Sequence, residues 1–182
     1  MKHALVVGGT GMLSGVSLWL LEQGYHVSII ARNPDRMRNL TEQTDLDSHI
    51  TPLLVDYSNN DELQKKVHET INRHGAIDIV VAWIHSTAPN AINIIAKEVS
   101  ISNREWKLFH VLGSSSDFKR IKQEVTVPTG CSYHQVQLGF IIEGVISRWL
   151  THKEISDGVI EAIDKRNTIL IIGQIDSWDN HP

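Results

Sequence analysis

Apolar and polar positions recur along this chain in one order: a short apolar run, a glycine or polar break, then a longer amphipathic stretch. Ala4 to Val7 is the first run, and it stops at Gly8-Gly9-Thr10-Gly11. A second apolar segment, Met12 to Leu21, follows with no polar break longer than one residue. This predicts a buried strand, a tight turn and a helix over about Gly11 to Gln23, ended by Gly24. His26 to Ala31 reads as the second strand. Asn33-Pro34-Asp35 then starts a short polar helix reaching to near Gln43, with an asparagine cap, proline in the first helical position and an acid in the first turn. Ile50 to Val55 is the third strand. Asp56-Tyr57 follows, and a helix from about Ser58 carries Leu63, Val67 and Ile71 at four-residue intervals before Gly75 closes it. Ile77 to Ile84 is almost continuously apolar, as a central strand covered on both faces requires. Pro89 opens a helix with an Ile92, Ile95, Val99 stripe, and Trp106 to Leu112 is the fifth strand.

The last third is less regular. After Gly113-Ser114-Ser115-Ser116, the polar segment Asp117 to Glu124 allows at most about two helical turns. Val136 to Ile142 and Val145 to Leu150 flank Glu143-Gly144, as a hairpin or as a strand leading into a loop. Thr151 and Glu154 form a capping box for a helix that buries Ile155, Val159, Ile160 and Ile163. Thr168 to Ile172 is the final strand. Strands alternating with helices through short connections imply right-handed crossovers and a parallel sheet. The expected fold is a single doubly wound α/β domain, a Rossmann fold with a mainly parallel sheet of about seven strands. The domain is expected over residues 1–175, with 176–182 as a loose polar tail.

Composition narrows the function classes. The net charge of −4 gives no reason to expect nucleic acid or an anionic membrane as partner. A single cysteine, Cys131, excludes an internal disulfide and fits a reducing compartment. The first apolar run is too short for a signal peptide, and no run approaches membrane-spanning length. A soluble cytoplasmic protein is expected.

The glycine turn is the main chemical signal. Glycines let a backbone approach a diphosphate, and the N–H groups of the helix start point at it. The spacing departs from G-x-G-x-x-G: Gly9 and Gly11 fit, Ser14 takes the third place, and Gly15 comes one residue late. Serine is small enough to keep helix and strand close. Gly8, Gly9, Thr10, Gly11, Met12 and Leu13 are therefore the candidate diphosphate cradle. About twenty residues on, an acid would hold a ribose 2′-hydroxyl and arginine a 2′-phosphate. Here Arg32 and Arg36 stand one turn apart at a helix start, where cations oppose the helix dipole unless an anion joins them. They favour NADP over NAD, against the plain reading of two solvated cations. Asp56, at the end of the third strand, would accept from an adenine amino group while the N–H of Tyr57 serves a ring nitrogen. A simple helix-start acid ahead of Ser58 is an equal alternative.

With these residues in place, the chain resembles the short-chain dehydrogenase/reductase family, nearest its extended or atypical branch in the turn Gly8 to Leu13. The resemblance runs the length of the chain: glycine turn, Arg32, Asp56, apolar fourth strand and a serine cluster after strand five. It implies an NADP(H)-dependent oxidoreductase moving hydride to or from a small carbonyl or alcohol, with Ser114, Ser115 or Ser116 in the place of the family's carbonyl-polarising serine. The segment beside the nicotinamide ribose, Asn-Asn-Ala-Gly in the family, here reads Ala82-Trp83-Ile84-His85. The family's Tyr-x-x-x-Lys pair is missing: no tyrosine lies between Ser116 and Pro128, and Tyr133 is followed four residues later by Gln137.

His85 stands where a substitute acid is wanted, since a histidine titrates near neutral pH. The preferred reading is a partly buried histidine satisfied by backbone, because nothing else converges on it. His110 reads as core. Cys131 and His134 have zinc-like spacing without a second pair, so no metal is expected. Without the proton relay, the alternative function is an NADP(H)-binding sensor or interaction protein that catalyses nothing. The resemblance also implies a homodimer, through the Pro89 helix or the Val136 to Leu150 segment.

Overall fold

The computed structural model describes residues 1–175 and 181–182. Strands β1 (Lys2–Val7), β2 (Tyr25–Ala31), β3 (Ile50–Leu54), β4 (Ile79–Trp83), β5 (Trp106–Leu112), β6 (Cys131–Leu138) and β9 (Ile169–Ile172) form one sheet. Its order is β3-β2-β1-β4-β5-β6-β9 and every neighbouring pair is parallel. The helices between them are α1 (Ser14–Glu22), α2 (Pro34–Thr41), α3 (Asn60–His74), α4 (Ala91–Ser102), α5 (Phe118–Glu124) and α6 (His152–Lys165). The expected doubly wound Rossmann fold is therefore what the chain adopts, as a single domain. Strands β7 (Phe140–Glu143) and β8 (Ile146–Trp149) make a separate antiparallel hairpin, settling that alternative.

Side chains alternate across the pleat, so each strand feeds two cores. Val6, Val81 and Phe109 pack under α1, α2 and α6 with Val16, Leu20, Met37 and Val159. Leu5, Val80 and Leu108 pack on the other face with Leu63 and Val67 of α3 and Ile92 and Ile95 of α4. Helix α5 buries no residue fully, and beyond it Ile169 and Ile171 of β9 are exposed. At the opposite edge, β3 carries Pro52.

Several boundaries differ from the sequence pattern, β4 among them, which spans Ile79–Trp83 rather than Ile77 to Ile84. Helix α1 starts at Ser14 rather than near Gly11, because the preceding residues close successive turns, Gly11 N–H to Gly8 O at 3.3 Å and Ser14 N–H to Gly11 O at 3.0 Å. Helix α4 starts at Ala91, two residues after Pro89. Strand β6 starts at Cys131, five residues before the apolar run at Val136, and its run ends at Leu138, with Gly139 separating it from β7. Residues 176–180 of the expected tail lie outside the described residues. The described His181 rests its ring on Phe140, centroids 4.7 Å apart.

At the base of the sheet, away from the carboxyl ends of the strands, three histidines meet. His3 and His26 are register partners on β1 and β2, and His26 stacks on His74 of α3 with centroids 3.8 Å apart. The Thr51 hydroxyl lies between them, 2.7 Å from His26 Nε2 and 2.8 Å from His74 Nε2. His3 Nδ1 donates to Gly75 O at 2.8 Å, and its Nε2 meets Ser28 Oγ, also at 2.8 Å. Burial lowers the pKa of all three rings, that of His26 to about 4.

Candidate functional site

In this strand order the connections from β1 and β4 run to opposite sides, which opens a crevice at their carboxyl ends. The glycine turn forms its floor. Gly8 has φ +85°, a conformation other residues adopt only with strain. Gly9 is fixed by packing: a methyl there would sit 2.6 Å from Ser17 Oγ and 2.9 Å from Ile29 Cγ2. A methyl on Gly11 would meet only Gly8 O, at 4.0 Å, so this glycine borders open space. No side chain caps α1 and no acid stands in its first turn, which leaves first-turn amides available to an outside anion. Ser156 of α6 secures the turn from behind, its hydroxyl donating to Met12 O at 2.8 Å. The Thr10 side chain has intermediate exposure, whereas that of Leu13 is fully buried. Leu13 thus reaches a ligand through its main chain only, and so does Ala82, equally buried in β4.

On the β2 side, Arg32 Nη1 lies 3.9 Å from Asp56 Oδ2, with both side chains largely exposed. Asp56 is held by Ser58, whose hydroxyl and N–H donate to Oδ1 at 2.7 and 2.9 Å. These bonds, together with Arg32, lower its pKa. Asn33 caps α2 by accepting from the N–H groups of Asp35 and Arg36, which sets Arg36, exposed, one turn beyond Arg32. The Tyr57 hydroxyl accepts from His85 N–H at 3.1 Å and ties the loop after β3 to the loop after β4.

The β4–β5 side is built differently. Trp83 ends β4, half-buried, with its indole between the exits of β1 and β5. The loop after β5 is drawn inward by buried Gln137 of β6, whose Nε2 lies 3.2, 3.0 and 3.0 Å from the carbonyls of Gly113, Ser114 and Ser116. Nothing in the apolar periodicity pointed to Gln137. Its signal is a glutamine interrupting an apolar strand end. Ser114 is half-buried and Ser115 exposed. His85 is exposed rather than partly buried, because its Nδ1 accepts from Thr87 N–H at 3.2 Å and the ring turns back on its own loop.

Other proton-transfer groups lie elsewhere. His110 is buried in β5 beside the Tyr133 hydroxyl at 2.8 Å, and burial lowers its pKa to about 4. Burial raises Tyr133 to about 12. Tyr133 precedes the end of β6 by five residues, roughly 16 Å at the usual rise per residue. Cys131 and His134 are three apart on this strand and face opposite sides of the sheet, so they cannot share an ion.

Residues 2–93, half of the chain, match the family model described as short chain dehydrogenase. The chain belongs to the short-chain dehydrogenase family. The match spans the glycine turn, Arg32, Asp56 and Trp83 and stops before β5. Comparison with curated proteins gives no match. Among solved structures, a short-chain dehydrogenase/reductase, glucose/ribitol dehydrogenase from Brucella melitensis, superposes with a TM-score of 0.75 at 12% identity, covering 97% of each chain. YwfH, an NADPH-dependent reductase involved in bacilysin biosynthesis, gives 0.75 at 15% identity over 97% of this chain and 99% of that one. An alcohol dehydrogenase from the archaeon Thermococcus sibiricus, complexed with 5-hydroxy-NADP, gives 0.70 at 14% identity over 94% of this chain and 95% of that one. These likenesses bear on fold.

No helix of the described residues is long and apolar enough to cross a membrane.

Proposed function

We propose that this short-chain dehydrogenase binds NADP(H), with the diphosphate on the Gly8 to Leu13 turn and the 2′-phosphate against Arg32, backed by Arg36. The carrying observation is the juxtaposition at the carboxyl ends of β1 and β2. An uncapped helix start borders open space at Gly11, and just past the end of the neighbouring strand a largely exposed guanidinium has, among the described residues, one ion-pair partner at 3.9 Å. The 5-hydroxy-NADP complex of the Thermococcus sibiricus dehydrogenase supports the choice of cofactor by fold. Asp56 and Tyr57 would border the adenine.

Read as an oxidoreductase, the cofactor would supply hydride to a small carbonyl, or take it from an alcohol. Ser114 or Ser115 would polarise the oxygen, and His85 is the titratable side chain nearest in sequence to the end of β4. A second reading, binding without turnover as a sensor or interaction protein, is favoured by one observation: no tyrosine lies on the loop and helix that follow β5, and Tyr133 is committed to His110 far down β6. One experiment separates them. Calorimetry with NADPH and NADH establishes binding, and NADPH consumption is followed against aldehydes, ketones and quinones. Binding with turnover of any of these supports the oxidoreductase, and binding with none supports the second reading. No binding of either cofactor overturns both.

A further inference from the structure

Trp83 stands at a decisive place. A methyl group on Gly8 would lie 3.5 Å from Trp83 Cβ and 3.7 Å from Cδ1, and one on Gly113 would lie 3.7 Å from Cη2. Cδ1 and Cη2 sit at opposite ends of the indole. The ring therefore spans from the exit of β1 to the exit of β5, and with Met12 it packs against the core that holds Val81 and Val111. A dinucleotide in a doubly wound fold crosses these strand ends, its adenosine half over β1–β2 and its second nucleotide over β4–β5. The indole lies on that second stretch. Close-packed protein atoms do not share their volume with a ligand, so the second nucleotide and this ring compete for one place.

The two halves of the crevice differ in a second, independent way. On the adenosine side, groups are exposed and weakly committed: Gly11 borders open space, and Arg32 is 71% exposed. On the β4–β5 side they are engaged by neighbouring protein groups. The Gln137 amide gathers three carbonyls of the Gly113 to Ser116 loop, and His85 is turned onto Thr87.

We propose that Trp83 confines recognition to the 2′-phosphoadenosine half of the crevice, so that the ligand class is adenosine nucleotides carrying a 2′-phosphate, of which NADP(H) is one. The nicotinamide half then adds no affinity. This rests on the reading of Arg32 and the glycine turn given above, and it deepens the arm of that reading without turnover.

The test is calorimetry on the full chain with 2′,5′-ADP, NADPH and nicotinamide mononucleotide. The expected result is that 2′,5′-ADP and NADPH bind within about fivefold of each other and that the mononucleotide does not bind. In Trp83→Asn, NADPH should tighten by about tenfold or more while 2′,5′-ADP stays unchanged, because space for the second nucleotide is freed. If that variant does not fold, Trp83→Phe, which keeps an apolar ring but shortens it, must shift the ratio in the same direction. NADPH binding the unsubstituted protein more than about fivefold tighter than 2′,5′-ADP overturns the inference and leaves the NADP(H) reading standing. Failure of both nucleotides to bind overturns the two together.

Discussion

Arg32 and Asp56 face each other across the carboxyl ends of β2 and β3 at 3.9 Å, both largely in solvent. Such an exposed pair is screened by solvent and weak, so Arg32 loses little when it turns to a stronger anion. A hydrogen bond to a phosphate contributes about 1.5–3 kcal/mol. Arg32→Ala is therefore expected to weaken NADPH binding by roughly ten- to a hundredfold, and NADH much less. Titrating both cofactors into the variant checks this, and equal losses would remove the 2′-phosphate role.

Two glycines of the same turn should respond in opposite ways. Gly9→Ala drives a methyl to 2.6 Å from Ser17 Oγ and should destabilise the fold by about 1–3 kcal/mol, read from urea midpoints. Gly11→Ala meets no neighbour closer than 4.0 Å and should change stability by less than about 0.5 kcal/mol while weakening nucleotide binding. A Gly11→Ala protein that binds NADPH normally would move the diphosphate away from this turn.

Gln137 holds the serine loop through one amide. Gln137→Leu leaves the carbonyls of Gly113, Ser114 and Ser116 without their shared donor and should cost about 1–3 kcal/mol. Faster amide hydrogen exchange should be confined to residues 113–116 and the end of β6. An unchanged exchange pattern would show that the loop stands without this anchor.

The base of the sheet should be sensitive to acid. His3, His26 and His74 have folded-state pKa values below the ordinary 6.5, with desolvation the first cause in each, and Arg73 opposes a charge on His26 and His74 while Asp78 favours one on His3. A lowered histidine pKa means that the unfolded chain binds more protons in this range. The stability held by the neutral rings is full above about pH 6.5 and is lost as pH falls towards the folded-state value of His26, about 4. His26→Gln, which keeps a side chain able to hydrogen-bond Thr51, should flatten the fall of the urea midpoint between pH 7.5 and 4.5. A parallel fall in both proteins would place the acid sensitivity elsewhere.

Most of the strand and helix alternation was legible because apolar period and glycine breaks agree with each other along the first 112 residues. Strand β6 was not. Ser132, His134, Gln135 and Gln137 break its apolar run; Ser132 is exposed, and the other three sit in the buried part of the strand because other elements offer them partners. His134 donates to Asn167 O at 2.6 Å, and Gln135 to Phe118 O at 3.1 Å. A one-dimensional pattern sees the polarity and not the partner. The histidine cluster was hidden for the same reason: its members are 23 and 48 residues apart in sequence and meet only through register and the end of α3. In the candidate site, the turn, Arg32 and Asp56 could be placed from local motifs. The reach of the Trp83 ring depends on how far apart β1 and β5 end, which no local motif carries.

The two margins of the sheet are guarded unequally. Pro52 removes a backbone donor from the β3 margin, which blunts it against a stray strand. The β9 margin has no proline and shows Ile169 and Ile171 to solvent. A parallel sheet assembled from distant segments folds slowly, so β9 stays unguarded longest during refolding. Aggregates formed on dilution from denaturant should therefore grow from this side, and a lysine at position 171 should suppress them.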